Sequence, residues 1–540
     1  MKKKVGLAVL LVVVLVLSSL VSCQGAATKL SVEDISWPAT KADLPGTLSF
    51  IDPDKPLTPS IMPVYFLSGD DYEMGYQYGY QAAPYMNCFI DHLWAKFLAR
   101  DFADTVAKRD VILKGFQYYV IEYAPYLVDH MIGIADGMTD AGYPTTYAEV
   151  LMMQCEWEAN LDPDAEANAY PTPVDDLPPA CSGFAAVGDA TTEGQLVFGE
   201  SADGTPFKHE GTIVVFPDDG NNYVTDGEIG VVGLNYAMNS EGVCIGLQAS
   251  GSNRAIDTQF GFTMPFSFAH MARYADTAEE ARDMLLEWEL AWGTNYHIAD
   301  PSGDMFVVEA TASVKEVRWP DSLGEGEVDF LVTTNHFRTP EMIEISGRDR
   351  RDCSRYATFF DYLQNNLGDV DLDFAKMMYR TLATSSSRMV RIAVCDGDTN
   401  LSYTCTGPVY KTDGFRSMPI EPTHSFYEIN LQGSPEETTL KAERTARNYI
   451  GKAFTEMNKL DYGDREYAVL NEILNEAKAK YYEGINLKRS AQVTDGNESL
   501  FNFSKAMTAY TASQALSMQV YNALAGMPLS PHDLKKAEKK

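Results

Sequence analysis

The sequence is short of basic residues and lacks the common metal-binding motifs. Lys and Arg together number 43 against 76 Asp and Glu, so the 540-residue chain has a formal net charge of −33. Because an acidic surface repels phosphate backbones, we expect no nucleic-acid partner. No CxxC or HExxH motif occurs and the eight histidines are scattered, so we expect neither a metal nor another cofactor.

Long apolar runs are also scarce, and the one that stands out lies at the start of the chain. Lys2–Lys4 precede an uncharged stretch over 5–21, which is typical of a signal sequence and short for a permanent transmembrane helix. Leu20–Ser22 stand directly before Cys23, an order similar to the bacterial lipoprotein processing box. We therefore predict a signal peptide over 1–22, a lipid on Cys23 and an exported cell-envelope protein facing the extracytoplasmic side. An uncleaved N-terminal membrane anchor is the alternative.

The remaining cysteines leave the disulfide pattern open. Apart from Cys23 and Cys181, six are present, and of these only Cys395 and Cys405 lie close together in sequence. They flank a turn-rich piece over 396–400 that joins two strand-like runs. A disulfide between Cys395 and Cys405 is the pairing that their closeness in sequence allows. A symmetric hairpin would argue against it, because the two thiols would not lie opposite each other.

The first part of the chain has the apolar periodicity of helices. This pattern holds from about Asp70 to Asn160, and Thr146 with Glu149 predicts a capping box. A proline-rich, extensible linker follows over 161–180. We therefore assign a helical N-terminal region to 23–160.

The pattern changes to strand-like alternation after Cys181. The alternating runs lie at 183–190, 195–200, 212–216, 233–238, 243–248, 296–299 and 305–309. A helix is predicted over 278–291, with Thr277 and Glu280 as its capping box. Further helices are predicted from Ser434, over 464–483 and over 499–525. We assign a sheet-rich domain to 181–425 and a helical region to 426–540.

Cys181 has an unusual position for a free cysteine, which is more often buried as a small apolar side chain. It stands where the proline-rich linker runs into the first alternating strand. Composition alone favours an inert or disulfide-bonded cysteine. The interpretation of Cys181 therefore depends on its neighbours.

The neighbours of Cys181 resemble the nucleophile segment of a known family. They read Cys-Ser-Gly-Phe-Ala-Ala-Val-Gly-Asp-Ala-Thr over 181–191, and 194–203 continue the likeness. Other motifs, before and after this segment, occur along the chain in the same order as in the family: Tyr72–Gly79, Gly133–Gly137, Asn239–Val243, Thr334–His336 and Ser387–Arg391. Together they resemble the acyl-coenzyme A:6-aminopenicillanic-acid acyltransferase family, which is choloylglycine hydrolase-like and belongs to the N-terminal-nucleophile hydrolase superfamily. The resemblance covers about 70–418.

The resemblance implies an α+β fold, a four-layer αββα sandwich flanked by an N-terminal helical pro-region and C-terminal helices. It also implies a precursor that cuts its own bond between Ala180 and Cys181. An α-amine titrates near pH 8 and a thiol near 8.5, so one residue can supply both the base and the nucleophile. The implied activity is amide hydrolysis or acyl transfer through an acyl thioester, without a cofactor.

The resemblance also assigns roles to individual residues. Cys181 would attack the substrate carbonyl, and Asp203 would hold the new α-amine. Asn335 would donate its side-chain amide to the oxyanion. Arg388 would stabilise the thiolate. Gln248 falls where related enzymes have another oxyanion or pocket residue.

One position departs from the family pattern. A Gly-Arg-Asn-x-Asp run is usual after the second strand, and this chain has an acid, Glu200, in place of the arginine. The charge balance of the site is therefore altered. Either Arg388 compensates, or Glu200 points outward, because alternate strand residues face opposite sides.

Two other functions compete with this interpretation. A papain-like hydrolase would pair Cys181 with His336, but Asn335 and His336 are adjacent in a strand-like run, so only one should face the site. We expect it to be Asn335. A catalytically silent surface lipoprotein that binds ligands is the alternative from another class, and Glu200 is its main support.

The substrate is narrowed only by the family resemblance. It allows N-acyl amino compounds, β-lactam side chains, N-acylethanolamine or ceramide-like lipids, and phospholipid esters. A lipid on Cys23 would favour amphiphilic small molecules among these.

Overall fold

The computed structural model describes the chain from Met62 to Ala525 with gaps. The described residues are 62–98, 105–156, 181–203, 210–233, 235–250, 259–347, 349, 351–382, 387–405, 425–460 and 465–525. The predicted signal peptide, Cys23, the linker and Ala180 lie outside them, so lipidation and the scissile bond stay predictions. Within these ranges no helix combines the length and the apolar character that crossing a membrane requires.

The N-terminal part is helical, as its periodicity predicted, and begins with a strand that was not predicted. The elements are β1 (Val64–Gly69), α1 (Asp71–Leu98), α2 (Thr105–Tyr123), α3 (Tyr126–Asp140) and α4 (Tyr147–Gln154). The predicted capping box at the start of α4 is confirmed, because Thr146 and Glu149 each accept a bond from the other's backbone N–H.

An eight-stranded sheet is built around β1 and seven later strands. Its spatial order is β1, β4 (Glu210–Pro217), β5 (Tyr223–Glu228), β6 (Tyr236–Asn239), β7 (Cys244–Ala249), β8 (Thr294–Ala299), β9 (Met305–Ala310) and β10 (Lys315–Arg318). β1 runs parallel to β4, and the other neighbours are antiparallel. A strand from before Cys181 therefore belongs to this sheet.

A six-stranded antiparallel sheet contains the strand that follows Cys181. Its order is β11 (Phe330–Thr334), β2 (Ser182–Gly188), β3 (Gly194–Asp203), β12 (Ser387–Cys395), β13 (Asn400–Cys405) and β14 (Phe426–Asn430). β2 and β3 correspond to the two predicted alternating runs directly after Cys181 and pair as a hairpin.

Helices outside the N-terminal part complete the fold. They are α5 (Met264–Tyr274), α6 (Ala278–Glu287), α7 (Pro340–Ser346), α8 (Ser354–Gln364), α9 (Leu372–Leu382), α10 (Pro435–Met457), α11 (Arg465–Ala491) and α12 (Gly496–Ala525). The helix predicted from Ser434 is confirmed as α10, and Ser434 and Glu437 form a capping box at its start.

Helix α6 differs from its prediction in two ways. It ends at Glu287 because Trp288 already has an extended ψ of 147°. Its predicted capping box is only half formed. Thr277 accepts from Glu280 N, but the Glu280 carboxylate accepts from the backbone N–H of Asp276 instead.

The two sheets pack face to face through an apolar layer drawn from both. Phe66 and Met238 of the larger sheet meet Phe198 and Leu331 of the smaller one, and all four are fully buried. Burying a side chain of this size contributes roughly 1.5–3 kcal/mol. This layer is the central core of the molecule.

Helices cover the outer faces of both sheets. α5 and α6 pack on the eight-stranded sheet, while α8 and α9 pack on the six-stranded sheet, where Phe184, Phe359 and Tyr379 form part of one buried cluster. The predicted αββα sandwich is therefore confirmed.

The edge of the larger sheet is closed by the last helix. The backbone N–H groups of Val64 and Phe66 in β1 donate to Thr508 Oγ1 at 3.0 Å and Ser504 Oγ at 2.9 Å in α12. An uncovered edge strand would present these donors to other chains. α12 instead satisfies them within the molecule.

The described cysteines carry unbridged thiols, including Cys395 and Cys405. In the β12–β13 hairpin Cys395 is opposite Asn400, whereas Cys405 Sγ accepts a bond from the backbone N–H of Val390 at 3.3 Å. The two thiols also face different layers, since Cys395 belongs to the core between the sheets and Cys405 to the cluster under α8 and α9. The suggested bridge between them is therefore wrong.

Candidate active site

Cys181 directly precedes β2, which is one of the two inner strands of the adjacent set β11, β2, β3 and β12. Ser182, the first residue of β2, is paired with Ser201 of β3 on one side and with Thr334 of β11 on the other. Cys181 is 9% exposed. Its immediate surroundings are therefore the end of β3 and the residue that follows β11.

The other predicted site residues lie at the same end of the sheet. Asp203 is the last residue of β3 and is paired with Ser387 of β12, so Arg388 is the next residue along that strand. Asn335 follows the last residue of β11. β11, β2, β3 and β12 are neighbours in this order. The backbones of Cys181, Asp203, Asn335 and Arg388 therefore lie at the same end of these four strands. The side chains of Asp203 and Arg388 lie outside the described part of the structure.

Asn335 is held between the two sheets and is 5% exposed. Its Nδ2 donates to the carbonyl of Ala249, at the end of β7, over 2.9 Å. The expected strand-like run through His336 is wrong, since β11 ends at Thr334 and the backbone N–H of His336 turns back to the Thr334 carbonyl at 2.8 Å. Asn335 therefore reaches the site from a turn.

Arg355 in α8 is a site residue that the sequence analysis missed. Its Nη2 donates to Oδ1 of Asn335 at 3.0 Å, and its Nη1 donates to Ser182 Oγ at 2.8 Å and to the Cys181 carbonyl. Arg355 is 174 residues from Cys181 along the chain. No local pattern in the sequence indicated this contact, because it depends on α8 packing on the six-stranded sheet.

Gln248 in β7 is fully buried and links the sheets. Its Nε2 lies 2.6 and 2.8 Å from the two carboxyl oxygens of Glu200. Its Oε1 accepts a bond from Thr333 Oγ1 at 2.8 Å. Its amide is thus engaged with Glu200 and Thr333, and its predicted oxyanion or pocket role stays a prediction.

Glu200 does not point outward, so this one of the two alternatives is wrong. Its side chain is fully buried between the sheets, because Leu196 and Phe198 on the same face of β3 also belong to the central core. Two glycines leave room for this carboxyl, because a Cβ on Gly183 or Gly246 would overlap its Oε2.

The burial of Glu200 affects its protonation. Burial raises the pKa of this carboxyl well above its usual value, and the Gln248 hydrogen bond and the nearby Arg391 guanidinium offset this only in part. Burial therefore favours the protonated, uncharged form of this carboxyl over the carboxylate.

Other polar groups fill the space between the sheets near Glu200. Arg391, opposite Glu200 in the β3–β12 register, has its Nε 2.9 Å from Oδ2 of Asp226, and both are fully buried. Burial lowers the pKa of His297 to about 3, with a further contribution from Arg318, so its imidazole is neutral. The inner face of the site is thus polar, but Arg391 and Asp226 form an ion pair and His297 is neutral.

His336 lies beside a different sulfur from the one that the papain-like hypothesis assigns. Its side chain lowers the pKa of the thiol of Cys353, the N-cap residue of α8. The pairing of Cys181 with His336 therefore gains no support from this effect.

The described ranges contain no group of three or more His, Cys, Asp or Glu arranged to hold a metal ion. An open groove of about 710 Å³ lies on the C-terminal helices, between Arg444, Arg447, Lys452 and Tyr521. The candidate residues do not line this groove. Their placement rests on the strand register and, for Asn335 and Gln248, also on hydrogen bonds.

Relatives with sequence likeness are found for part of the chain. An uncharacterized protein of Archaeoglobus fulgidus is 29% identical over 345 residues, which are 57% of this chain and 56% of that protein. This chain thus spans little more than half the length of that curated relative.

Solved structures match at low similarity. An N-acylethanolamine-hydrolyzing acid amidase ortholog of Caenorhabditis elegans is 15% identical, with a TM-score of 0.31, over 40% of this chain and 92% of that one. Penicillin V acylase of Agrobacterium tumefaciens is 14% identical, with a TM-score of 0.31, over 47% and 86%. At these TM-scores neither likeness carries weight, and the fold rests on the two sheets and their helices.

A family model matches the central part of the chain. Residues 190–398 match the family described as acyl-coenzyme A:6-aminopenicillanic acid acyl-transferase. The match includes Asp203, Asn335 and Arg388 and begins nine residues after Cys181. The resemblance that the motifs indicated is therefore confirmed, and over these residues the chain is similar to the acyl-coenzyme A:6-aminopenicillanic acid acyl-transferase family.

Proposed function

We propose that this chain is a cysteine amide hydrolase or acyltransferase that first cuts its own bond between Ala180 and Cys181. The observation that carries the proposal is the position of four residues at the same end of one sheet. There β11, β2, β3 and β12 bring together the backbones of Asn335, Cys181, Asp203 and Arg388. The likeness of residues 190–398 to an acyl-transferase family supports the same chemistry.

In the proposed self-cleavage, Sγ of Cys181 attacks the Ala180 carbonyl and the acyl group moves from nitrogen to sulfur. Water then hydrolyses the thioester, which restores the thiol and leaves a free α-amine on Cys181. An amine with a pKa near 8 can accept the proton of a thiol with a pKa near 8.5. Base and nucleophile would thus come from one residue.

In the proposed turnover, the Cys181 thiol gives its proton to the α-amine and Sγ attacks the substrate carbonyl. Collapse of the tetrahedral oxyanion breaks the C–N bond, and the leaving nitrogen takes the proton from the α-ammonium. An acyl thioester remains on Cys181. Attack by water yields the acid, and attack by another amine yields a new amide.

Asn335 is proposed to stabilise the oxyanion. Its amide nitrogen carries two protons, and the bond to Ala249 uses one of them. The bond from Arg355 to Oδ1 fixes which end of the amide is the donor. A donor of this kind is often worth ~3–4 kcal/mol in the transition state.

Asp203 and Arg388 are proposed to act on the two ionisable groups of Cys181. A carboxylate at the end of β3 would hold the α-ammonium, and a guanidinium on β12 would favour the thiolate. The register of β3 with β12 supports both roles, since it puts these residues at adjacent strand ends.

The state of Glu200 favours the enzyme over a silent ligand-binding lipoprotein. The binding alternative drew its support from an acid in place of an arginine. Glu200 is buried, and its raised pKa favours the uncharged carboxyl, a form that would not oppose a thiolate at Cys181.

We also propose an exported, lipid-anchored chain that acts on N-acyl or other amphiphilic small molecules. This rests on the sequence before Cys23 and on the family likeness. Anchoring at a membrane would bring the enzyme close to acylated amphiphiles.

Mass spectrometry of the purified full chain tests the proposal directly. We expect a fragment that begins at Cys181 and an acylated Cys23, together with turnover on at least one compound of an N-acyl amide panel with varied acyl chains and amines. Cys181→Ser should slow or abolish both processing and turnover, whereas Cys88→Ser, on α1, should leave both intact. A fully active preparation whose Cys181 nitrogen remains within an unbroken peptide would overturn the proposal.

A further inference from the structure

The turn that carries Asn335 is bound by a buried asparagine of the other sheet, Asn295 in β8. Nδ2 of Asn295 donates to the Thr334 carbonyl at 2.9 Å and to the His336 carbonyl at 3.1 Å. These two residues stand directly before and after Asn335 in the sequence. Asn295 therefore holds the backbone on both sides of the proposed oxyanion donor.

Two further hydrogen bonds reach the same segment from β7, the strand next to β8. Thr333 Oγ1 donates to Oε1 of Gln248 at 2.8 Å, and Nδ2 of Asn335 donates to the Ala249 carbonyl at 2.9 Å. Gln248 is directly opposite Asn295 in the β7–β8 register. The end of β11 and the turn after it are thus bound at one place on the eight-stranded sheet, although β11 belongs to the six-stranded sheet.

The burial of Asn295 adds weight to its two bonds. Its side chain is 1% exposed, so Nδ2 supplies the two carbonyls with donors that bulk water does not supply. The other end of the amide, Oδ1, has no hydrogen-bond partner among the described residues. Turning the amide over would place Oδ1 against the same two carbonyl oxygens, so the donor end faces the turn.

We propose that Asn295 is a positioning residue for the candidate active site. By holding both neighbours of Asn335, it fixes the place from which the second N–H of the Asn335 amide can reach an oxyanion. A displacement of about 1 Å at a reacting centre can lower the rate roughly 100-fold. The effect on turnover rests on the proposed function, whereas the restraint on the turn does not.

Asn295 and Arg355 act on different parts of the same residue. Arg355 reaches the Asn335 side chain through Oδ1 at 3.0 Å, which selects the donor end of the amide. The two bonds from Asn295 reach the backbone on either side, which sets the position of the whole residue. Loss of either contact should therefore displace the same donor.

The first test is kinetic and uses the full, processed chain. Asn295→Ala should lower kcat about tenfold or more, with a smaller change in KM, because the substrate still binds but the donor is misplaced. In an Asn335→Ala background the same substitution should lower kcat by at most about twofold, because the donor that it positions is already gone. An equal loss of kcat in both backgrounds would overturn the positioning role.

Asn222→Ala is the matched control. Asn222 precedes β5 of the larger sheet, and its Nδ2 donates to the Leu431 carbonyl after β14 of the smaller sheet at 3.0 Å. It therefore also links the two sheets, but at the opposite end of the six-stranded sheet from Cys181. We expect Asn222→Ala to leave kcat and KM unchanged.

The second test needs no activity. Amide hydrogen exchange, read by mass spectrometry on peptides that cover 333–337, should become faster in Asn295→Ala and stay unchanged in Asn222→Ala. Asn295→Leu keeps the size of the side chain without its donors, so it should show the same faster exchange even where the alanine variant is poorly folded. Unchanged exchange in a folded Asn295→Leu chain would overturn the restraint on the turn.

The two tests separate this inference from the proposed function. If Asn335→Ala lowers kcat and Asn295→Ala does not, the positioning role is overturned and the oxyanion role of Asn335 stands. If exchange is faster in Asn295→Ala but Asn335→Ala keeps full kcat, the oxyanion role is overturned and the restraint on the turn stands.

Discussion

The guanidinium of Arg355 donates to Oδ1 of Asn335 over 3.0 Å, and the same side chain donates to Ser182 Oγ at 2.8 Å. One residue of α8 therefore ties the turn after β11 to the start of β2. Oδ1 must accept this bond, so Nδ2 is fixed as the donor end of the amide. Arg355 is thus a positioning residue for the proposed oxyanion contact.

Replacing Arg355 by alanine should lower kcat by about tenfold or more, because a misplaced oxyanion donor forfeits part of the ~3–4 kcal/mol that such a contact supplies. Arg355→Lys should recover only part of the loss, since lysine cannot donate from a rigid fork. Steady-state kinetics on the processed chain measures both. Arg351→Ala is the matched control, because Arg351 is 59% exposed and pairs with Asp349. Equal kinetics for Arg355→Ala and Arg351→Ala would exclude the positioning role.

Asn335→Ala should depress kcat at least tenfold, and the loss expected for one oxyanion donor is roughly 100- to 1000-fold. Asn335→Asp separates donor from scaffold, because its carboxylate can still accept from Arg355 but offers no N–H at neutral pH. We expect both variants to lose kcat with a smaller change in KM. Unchanged kcat in Asn335→Asp would show that the amide is structural.

Glu200→Gln should change how stability depends on pH. Burial raises the folded-state pKa of Glu200, so above about pH 4.5 the folded chain keeps a proton that the unfolded chain loses, and its stability falls as pH rises by up to about 1.4 kcal/mol per unit. Glutamine carries no such proton. Melting temperatures at pH 5, 6 and 7 should therefore move in favour of Glu200→Gln as pH rises.

The exposed Glu193 gives the matched control for that series. In Glu193→Gln the difference in melting temperature from the unsubstituted chain should stay constant across the same pH values. A constant difference for Glu200→Gln as well would mean that the Glu200 carboxyl is ionised in the folded state.

Gly183→Ala should destabilise the fold, because its methyl group would overlap the Glu200 carboxyl between the sheets. Overpacking of this kind costs about 1–3 kcal/mol. Gly451→Ala in α10 is the control, since beyond its chain neighbours and the backbone of its own helix no atom lies within 4 Å of its added Cβ, and alanine is favoured in a helix by ~0.5–1 kcal/mol. Thermal unfolding should thus move in opposite directions for the two variants. A stabilised Gly183→Ala would contradict the packing of Glu200.

The sequence predicted the parts of the fold that depend on local pattern or on family motifs. The capping box of α4 was found because it needs only residues three apart. The hairpin after Cys181 was found because β2 and β3 alternate and are joined by a turn. The positions at the strand ends came from the family resemblance.

The missed features depend on contacts between distant segments. Arg355 reaches Cys181 only because α8 packs on the six-stranded sheet. An outward-facing Glu200 was one of two alternatives, yet the opposing Gly183 and Gly246 leave room for its carboxyl between the sheets. β1 was missed because it is short and directly precedes the helical region. Its position depends on contacts with β4 and α12.

The place of β1 also bears on what a cut before Cys181 would do. β1 comes from the upstream piece, but it is hydrogen-bonded to β4 on one side and to α12 on the other. The upstream piece would then be an integral subunit and not a discarded leader. Both products would migrate together in gel filtration and separate only under denaturing conditions.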